Sequence, residues 1–262
     1  MRLAALTAGL LAAVAAGAGP AHAAPPSGPA PTPAPRIVGG KPAAAGAYPW
    51  MAQVRIGFGG CGASLVSPDV LITASHCWLG SGGITARIGS LDHGKGGEQR
   101  TGVAFRRGDT GGRWDDWAVI KLDRPVAVAA HPALPADAST DTGPLFRTMG
   151  WGTIAEQGPT SPVLREVDVP YIADDICTRH GDATTLICAG DYERGGVDSC
   201  KGDSGGPLVN RVGDRWVLVG IVSKGNGCAR PKEPGMYTRI SHYREAIATA
   251  IREVGGTPPA VV

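Results

Sequence analysis

The sequence after residue 36 lacks an excess of charge of either sign. The whole chain has 25 Lys and Arg residues and 23 Asp and Glu residues, and the only charged residues before Ile37 are Arg2 and Arg36. Leaving these two arginines aside, 23 basic residues balance 23 acidic ones from Ile37 onward. Nucleic-acid-binding domains usually carry a clustered excess of Lys and Arg. The balanced charge therefore argues against nucleic acid as a partner.

The common metal-binding spacings are also absent. The sequence contains neither a Cys-x-x-Cys pair nor a His-Glu-x-x-His motif, and both are typical of zinc sites. Its six cysteines all follow Ile37, and an even number in an exported chain favours disulfides formed in an oxidising compartment. We expect three disulfides and no metal ion or cofactor, with zinc ligation as the weaker alternative.

An apolar run long enough to cross a membrane is missing too. Leu3 to Ala18 is apolar, but it is shorter than the roughly 18 residues that indicate a spanning helix, and much of it is Ala and Gly. It follows one positive charge at Arg2 and precedes Ala21-His22-Ala23, a small-residue pattern typical of a secretory cleavage site. We expect residues 1–23 to be a signal peptide and the protein to be secreted and extracellular, with a membrane anchor as the weaker alternative.

Residues 24–36 hold six prolines among alanines, which favours a solvated, extended segment. We expect them to form a pro-segment. The segment ends in Arg36, and Ile37-Val38-Gly39-Gly40 then changes abruptly to β-branched and glycine residues. This junction predicts a processing site. A purely structural interpretation, in which Arg36 is the last linker residue before a first strand, is compatible with cleavage.

Short β-type runs separated by Gly-rich turns fill the chain from Tyr48 onward, which favours an antiparallel sandwich or barrel. They fall into two successive sets, which predicts two β subdomains divided near the Pro-, Ala- and Asp-rich residues 125–143. The expected strands are Met51 to Ile56, Ala63 to Val66, Val70 to Thr73, Thr85 to Ile88, Thr101 to Phe105, Trp117 to Leu122, Leu145 to Trp151, Leu164 to Tyr171, Leu186 to Ala189, Pro207 to Val209, Trp216 to Val222 and Gly235 to Ile240.

The chain closes with a predicted helix over Ser241 to Val254, with Ser241 as its cap and Gly255 as its stop. We expect its apolar face to pack on the core and residues 255–262 to form a flexible tail. The residues that share this face are Tyr243, Ile247, Ile251 and Val254.

The stretch from Asp198 to Leu208 has the features of a nucleophile loop. Glycines near Ser204 on both sides let the backbone approach a ligand closely. A free serine hydroxyl is a weak nucleophile, so it needs a base, an acid that orients the base, and backbone donors for a developing oxyanion. Ser204 is therefore a candidate nucleophile whose partners lie elsewhere in the chain.

His76 is the candidate base, because it closely follows the buried-type run Leu71-Ile72-Thr73 and directly precedes Cys77. A disulfide at that cysteine would hold the imidazole in place. Asp115 and Asp116 stand at the entrance of the next predicted strand. Successive strand residues point to opposite faces, so only one of the two can face the imidazole, and we expect the other to be solvated.

With these residues the chain resembles the chymotrypsin-like serine proteases, and among them the trypsin-like group. The resemblance runs from Ile37 to about Val254, and the order His, Asp, Ser separates this family from subtilisin-like and α/β-hydrolase enzymes. It implies an all-β fold of two antiparallel six-stranded β-barrels with a C-terminal helix. The motifs that carry it are Ile37-Val38-Gly39-Gly40, Thr73-Ala74-Ser75-His76-Cys77, Asp116-Trp117-Ala118-Val119, Asp198 to Leu208 and Gly235-Met236-Tyr237.

The resemblance implies a catalytic role for three side chains. Ser204 would attack the scissile carbonyl, His76 would take and return the proton, and Asp116, favoured over Asp115 by its place before Trp-Ala-Val, would orient the imidazole. The backbone N–H groups of Gly202 and Ser204 would form the oxyanion hole. The chain would then be a serine endopeptidase that works through an acyl-enzyme.

A primary specificity pocket is implied by the same resemblance. Asp198 would lie at its floor and select Arg or Lys, although a loop aspartate without substrate contact is the alternative. Gly225 and Gly235 match the family's small pocket walls, and Ser223 and Gly225 would bind the substrate backbone. Lys224 stands where the family usually has an aromatic residue, which should make the adjoining subsites more polar and favour acidic neighbours. Ser75 replaces a usual alanine, and the sequence offers no account of its effect.

Activation and cross-linking follow from the resemblance as well. Cleavage between Arg36 and Ile37 would free an ammonium group that pairs with Asp203 and orders the pocket and oxyanion hole, so the protein would be a zymogen. Self-activation is compatible with the pocket, because the bond follows an arginine. The implied disulfides are Cys61–Cys77, Cys177–Cys188 and Cys200–Cys228.

We expect a monomer whose partners are protein or peptide substrates with Arg or Lys at the cleaved bond, with protein inhibitors as further candidates. Membrane and nucleic acid are not expected partners. A calcium loop is not expected either, because residues 89–101 lack a convincing set of carboxylates. Two rivals remain open: a homologue that has become a binding protein, favoured by Lys224 alone, and a protease of apolar preference.

Overall fold

The computed structural model describes residues 37–78, 80, 82–109 and 115–262. The expected signal peptide, the expected pro-segment and Arg36 lie outside these residues. The described residues all fall within one compact unit, Ala34–Val262. Its strands and α-helices, in chain order, are β1 (Lys41–Pro42), β2 (Met51–Ile56), β3 (Gly59–Ser67), β4 (Val70–Thr73), β5 (Ile84–Ile88), β6 (Glu98–Arg107), β7 (Ala118–Leu122), β8 (Leu145–Gly150), β9 (Arg165–Ile172), α1 (Asp174–Cys177), β10 (Leu186–Ala189), β11 (Pro207–Val212), β12 (Arg215–Lys224), β13 (Gly235–Arg239) and α2 (Ile240–Glu253).

The first six-stranded barrel has the antiparallel order β2-β3-β4-β7-β6-β5 and closes where β5 pairs with β2. Alternation explains its inner and outer faces, because successive strand side chains point opposite ways. In β2, Val54 and Ile56 are buried while Arg55 is exposed. The four residues of β4 are all buried, as expected for a strand that leads into the centre of the molecule.

The second barrel follows the order β9-β10-β13-β12-β11-β8 and closes where β8 pairs with β9. The short β1 extends this sheet by pairing Lys41 with Glu166 on β9. Both predicted six-stranded barrels are thus confirmed, and each of the twelve predicted strands has a counterpart. The connection from β7 to β8, residues 123–144, contains the stretch where the sequence predicted the division.

Helix α2 packs with its predicted apolar face inward, since Tyr243, Ile247 and Ile251 are buried. The helix begins one residue earlier than predicted, and its N-cap is Arg239, which makes no side-chain capping bond. Ser241 is therefore not the cap. Its hydroxyl instead donates to the Asp141 carboxylate. No helix among the described residues has both the length and the apolar character that a membrane crossing requires.

The C-terminal tail differs from the flexible segment expected from its sequence. It runs alongside the connection between the barrels, where Leu134 N–H donates to Ala260 O over 2.9 Å and Val262 N–H donates to Leu134 O over 2.9 Å. Ala136 N–H donates to Val262 O over 2.7 Å. Backbone pairing, which composition does not reveal, orders this segment.

Candidate active site

His76 lies in a single 3-10 turn, Ser75–Cys77, directly after β4. Cys77 is joined to Cys61 on β3 by a disulfide, so the turn is fixed at both its start and its end. The imidazole itself stays accessible, with 40 % of the side chain exposed. A buried strand and a cross-link thus hold a reactive ring at the surface between the two barrels.

Asp116, at the entrance of β7, is the carboxylate that meets this ring. His76 Nδ1 lies 2.9 Å from Asp116 Oδ2 and 3.0 Å from Oδ1. The backbone N–H of His76 donates to Oδ1 over 3.0 Å. Burial acts to raise the pKa of Asp116, but the hydrogen bond and charge of His76 and the hydroxyl of Ser223 outweigh it and hold the pKa below its ordinary value. Asp116 is therefore ionised at neutral pH.

Two further hydroxyls contact the Asp116 carboxylate, and the sequence predicted neither contact. Ser223 Oγ donates to Oδ2 from β12 of the second barrel. Ser75 Oγ donates to Oδ1 over 3.3 Å, which gives a physical account of the serine that replaces the usual alanine. The Asp116 backbone carbonyl also accepts a 2.8 Å bond from Thr238 Oγ1. Both barrels therefore position this carboxylate.

Asp115 differs from the solvated residue expected at this position. It is half-buried and accepts a 3.0 Å hydrogen bond from the Tyr243 hydroxyl on α2. Burial and this bond raise the pKa of Tyr243 above its ordinary value. The neighbouring carboxylates thus have separate partners: Asp116 contacts His76, and Asp115 anchors the C-terminal helix.

The loop that carries Ser204 makes close backbone contacts with the first barrel. The Ser204 carbonyl accepts a 2.8 Å hydrogen bond from Gly62 N–H on β3. Gly205 has φ +75°, and a Cβ there would lie 2.1 Å from Thr73 Oγ1 and 2.6 Å from Gly62 O. Only glycine fits such an approach. Within the described residues no hydrogen bond joins Ser204 Oγ to His76, and this contact is often long in proteases without substrate.

Asp198 lines a cavity of about 180 Å³ that also has Ser204 in its wall. The Asp198 side chain is almost completely buried, with 3 % exposure. Its Oδ1 accepts hydrogen bonds from Ser199 N–H over 2.8 Å and from the Tyr237 hydroxyl over 3.1 Å. A Cβ at Gly235 would lie 2.2 Å from the same oxygen, so glycine is required to keep the carboxylate open to the cavity.

The Asp198 carboxylate has no cation beside it among the described residues. Burial raises its pKa to about 7, although the hydrogen bonds from Tyr237 and Ser199 act in the opposite direction. A buried carboxylate that lacks a counter-ion is costly to ionise. This cavity is therefore suited to a ligand that brings its own positive charge.

Ser223, Lys224 and Gly225 also line this cavity. Lys224 is exposed, and it also borders a neighbouring cavity of about 400 Å³ next to Asp116. That second cavity has Asp115 and Asp182 in its lining. The charge of Lys224 is therefore placed among carboxylates on this side.

Asp203 is buried directly before Ser204, with 1 % exposure. It accepts hydrogen bonds from Gly152 N–H over 2.7 Å and from Cys200 N–H over 3.0 Å. Burial raises its pKa to about 6 against the effect of these two donors. A Cβ at Gly150 or Gly152 would lie 2.2 or 2.4 Å from its oxygens. The loop thus holds a second desolvated carboxylate beside the pocket.

The segment that begins at Ile37 packs against the same loop. Ile37 is completely buried, and Val38 O accepts a 3.2 Å hydrogen bond from Asp198 N–H. Gly39 has φ +83°, and a Cβ there would lie 2.4 Å from Val197 Cγ1. Ile37 has φ +32°, which is strained for a β-branched residue.

The three disulfides join the pairs that the resemblance implied: Cys61–Cys77, Cys177–Cys188 and Cys200–Cys228. One group of described residues brings three potential metal ligands together, namely Cys61, His76 and Cys77. The two sulfurs of this group are consumed in a disulfide, so they are not thiolate ligands.

Comparison with known proteins agrees with this geometry. The family model described as Trypsin matches residues 37–247. The chain belongs to the trypsin family. It is a trypsin-like serine endopeptidase, in agreement with the fold and with the serine protease names of its relatives.

Relatives of this trypsin-like protease occur in bacteria and animals. It is 38 % identical over 229 residues to a "Trypsin-like protease" of Streptomyces glaucescens, and the match covers 82 % of each chain. It is 38 % identical over 230 residues to human "Serine protease 56" and 38 % identical over 246 residues to "Serine proteinase stubble" of Drosophila melanogaster. The match covers 80 % and 83 % of this chain but only 38 % and 31 % of these two animal proteins.

Proposed function

We propose that this trypsin-like protease is a secreted zymogen that cleaves peptide bonds after Arg or Lys, with Ser204 as nucleophile, His76 as general base and Asp116 as its orienting acid. Two observations support the proposal. His76 and Asp116 are joined by hydrogen bonds of 2.9 and 3.0 Å, and the buried carboxylate of Asp198 lines the cavity whose wall includes Ser204.

The chemistry follows the mechanism established for the family. Ser204 Oγ attacks the scissile carbonyl while His76 takes its proton, and Asp116 stabilises the imidazolium that forms. His76 then gives the proton to the leaving amine, and water hydrolyses the acyl-enzyme. The backbone N–H groups of Gly202 and Ser204 would stabilise the oxyanion. Loss of one such donor typically costs about 2.7–4 kcal/mol in the transition state.

The preference for Arg or Lys is supported by the electrostatics of the cavity. Asp198 is buried and its pKa is raised to about 7. A guanidinium or ammonium group that enters the cavity would replace lost hydration and favour the ionised carboxylate. An apolar side chain in the cavity would leave the ionised Asp198 carboxylate without a counter-ion, or would require it to stay protonated. Ser223 and Gly225, at the cavity wall, would pair with the substrate backbone.

Activation by cleavage between Arg36 and Ile37 is the second part of the proposal. The new ammonium group of Ile37 would pair with Asp203, which is buried and desolvated beside the pocket. Breaking a buried pair of this kind typically costs about 3–5 kcal/mol, enough to keep a precursor inactive. The positive φ of Ile37 supports the proposal, because a free amino group at Ile37 would no longer be held at this unfavourable angle.

Export is proposed from the first 23 residues, which lie outside the described part of the chain. The three disulfides support an oxidising destination. The proposed partners are protein or peptide substrates with Arg or Lys at the cleaved bond, protein inhibitors are further candidates, and we propose that the enzyme acts as a monomer.

A hydrolysis assay on the activated enzyme tests the proposal. Peptide amides that differ only in the residue before the scissile bond, namely Arg, Lys, Gln and Leu, are compared on the wild type, Ser204→Ala and Asp198→Ser. We expect Arg and Lys amides to be cleaved by the wild type only. Equal residual rates in wild type and Ser204→Ala would favour a binding protein, and unchanged Arg cleavage in Asp198→Ser would favour a protease of another specificity.

A further inference from the structure

We propose that this enzyme prefers substrates whose residues directly after the scissile bond are acidic, and that a basic groove next to Gly202 binds them. The inference rests on the proposed function, because it concerns the same cleft. It adds a second specificity element, on the leaving-group side, to the carboxylate of the Asp198 cavity.

The groove lies where the outer face of the first barrel meets loops of the second. It has a volume of about 390 Å³, and its walls include Cys61 on β3 and Gly202 in the nucleophile loop. These residues flank the contact between Gly62 N–H and the Ser204 carbonyl, which is 2.8 Å long. The groove therefore begins next to the loop that carries Ser204.

The path of a substrate follows from the positions of the two cavities. The Asp198 cavity and the groove have no lining residue in common, and the Ser204 loop separates them. The residue before the scissile bond enters the Asp198 cavity, and the preceding backbone runs along Ser223 and Gly225. The chain after the scissile bond consequently leaves past Gly202 and Cys61 into the groove.

The lining of the groove carries positive charge and no carboxylate side chain. Arg55 on β2 and Arg87 on β5 contribute guanidinium groups, and His93 contributes an imidazole. Both arginines lie on the outer face of the barrel, because Val54 and Ala86, their neighbours in the chain, are buried in its interior. A segment with two or more acidic residues would meet complementary charge along this face.

Arg55 is the guanidinium best placed to bind a ligand. It is exposed, and within the described part of the chain its side chain has no hydrogen bond or ion pair. Arg87 is half-buried and donates through Nη1 to the carbonyl oxygen of Gly96, which fixes its orientation but leaves its charge unneutralised. Lys201 directly precedes Gly202 and is exposed, but it lines the Asp198 cavity and not the groove.

The opposite side of the cleft does not have charges of a single sign. The cavity next to Asp116 places Lys224 with Asp115 and Asp182, so its charges are mixed. The acidic preference that Lys224 alone indicated is therefore better supported on the leaving-group side, where Arg55 and Arg87 are of one sign.

Internally quenched peptides test this inference on the activated enzyme. They share one sequence up to the scissile Arg and continue with Gly-Glu-Glu, Gly-Gln-Gln or Gly-Lys-Lys. A coumarin amide of the same Arg peptide has no residue after the scissile bond. Its cleavage rate is measured for each variant as the reference, because it depends on the proposed function alone. Exposed ion pairs are each worth about 0.2–1 kcal/mol, or up to about fivefold, so we expect kcat/KM for the acidic peptide to exceed that for the basic one by about tenfold at low salt. The difference should shrink at 0.5 M salt, a concentration at which exposed charges are screened within about 5 Å.

Charge variants show whether the groove is responsible. We expect Arg55→Gln to lower the acidic-to-basic ratio by about threefold and Arg55→Glu to lower it by about tenfold or invert it. Arg215→Gln is the matched control, because it removes the same charge from an exposed position outside the groove; its ratio should equal that of the wild type. A ratio that falls equally in Arg215→Gln would contradict the groove and indicate overall charge.

The outcomes separate the two proposals. Cleavage of the coumarin amide with equal rates on the three peptides would overturn this inference and leave the proposed function intact. Absence of coumarin amide cleavage would overturn both. Binding of a heparin fragment to the groove, together with equal cleavage rates for the three peptides, would also overturn this inference. It would identify the groove as a site for anionic polysaccharide.

Discussion

At the scale of single residues, Asp116 is held by more donors than its contact with the imidazole requires. It accepts bonds from His76 Nδ1, His76 N–H and the hydroxyls of Ser75 and Ser223. Each donor favours the ionised form, and together they overcome the effect of burial on its pKa. A negative charge next to the His76 imidazole is therefore present throughout the neutral range.

The first prediction concerns Ser75. Ser75→Ala removes the longest of these bonds, 3.3 Å, while the other donors remain, so kcat should fall by no more than about fivefold, the equivalent of about 1 kcal/mol for a hydrogen bond. Asp116→Asn should cost about 10⁴-fold in kcat, as in the family's established triad. Steady-state hydrolysis of an Arg amide measures both. A loss in Ser75→Ala as large as that in Asp116→Asn would show that the shared donors do not compensate for one another.

The second prediction concerns Asp198 and pH. Burial raises its pKa to about 7, and a cation binds the ionised carboxylate, so affinity for benzamidine should rise about tenfold per pH unit up to about 7 and be constant above it. Calorimetric titration measures this affinity in the absence of turnover, so the protonation of His76 during catalysis does not enter the measurement. Asp198→Asn should bind weakly and without this dependence. Constant affinity of the wild type from pH 5 to 8 would contradict the assignment.

At the scale of elements, the active site depends on contact between a loop of the second barrel and two strands of the first. A Cβ on Gly205 of the loop would collide with Thr73 and Gly62, and a Cβ on Gly62 would lie 2.9 Å from Gly206 Cα, so side chains are excluded at both positions. Backbone contact of this kind fixes the serine relative to the turn that carries His76. The glycines of the nucleophile motif therefore serve the junction of the barrels as well as access for substrate.

The third prediction is that Gly205→Ala displaces this loop. Its Cβ would lie 2.1 Å from Thr73 Oγ1 and 2.6 Å from Gly62 O, at φ +75°. A displacement of about 1 Å in a catalytic group costs about 10²-fold, so we expect at least that loss in kcat/KM. Gly213→Ala is the matched control, because Gly213 has φ +60° but a Cβ there would have no atom within 4 Å. Similar losses in both variants would indicate backbone strain alone.

At the scale of the whole molecule, the C-terminal tail is hydrogen-bonded to the connection between the two barrels. Three backbone hydrogen bonds link Leu134 and Ala136 to Ala260 and Val262. They lie away from Ser204 and the Asp198 cavity, none of whose lining residues belong to the tail. The tail should therefore affect stability more than chemistry.

The fourth prediction is that deletion of residues 257–262 lowers the free energy of unfolding by about 1.5–4.5 kcal/mol, because three net hydrogen bonds of about 0.5–1.5 kcal/mol each are lost. Denaturant titration measures this change, and kcat for an Arg amide should stay within about twofold of wild type. Pro259→Ala, which keeps the backbone bonds, is the control. Unchanged stability after deletion would show that the tail contributes nothing to the barrels.

The sequence predicted most of the fold and named candidate residues for the site, for a clear reason. Alternation and turn residues are local, so the strands were found, and His76, Asp116 and Ser204 stand in short motifs of fixed spacing. Contacts between distant residues were missed: Ser223 with Asp116, 107 positions apart, and Tyr243 with Asp115, 128 positions apart. The ordered tail and the basic groove likewise arise only when separate segments meet in three dimensions.

The central claim, that Ser204 is an activated nucleophile beside a pocket for a cation, is tested most directly by active-site titration with a nitrophenyl ester of guanidinobenzoic acid. The ester places a guanidinium near Asp198 and a carbonyl at Ser204, and it acylates a competent enzyme once. We predict a burst of about one equivalent of nitrophenol from enzyme cleaved at Arg36, since one serine reacts per molecule, with the label on Ser204. No burst is predicted from Ser204→Ala or from an uncleaved Arg36→Gln precursor. A burst of equal size in Ser204→Ala, or a label on another residue, would contradict the account.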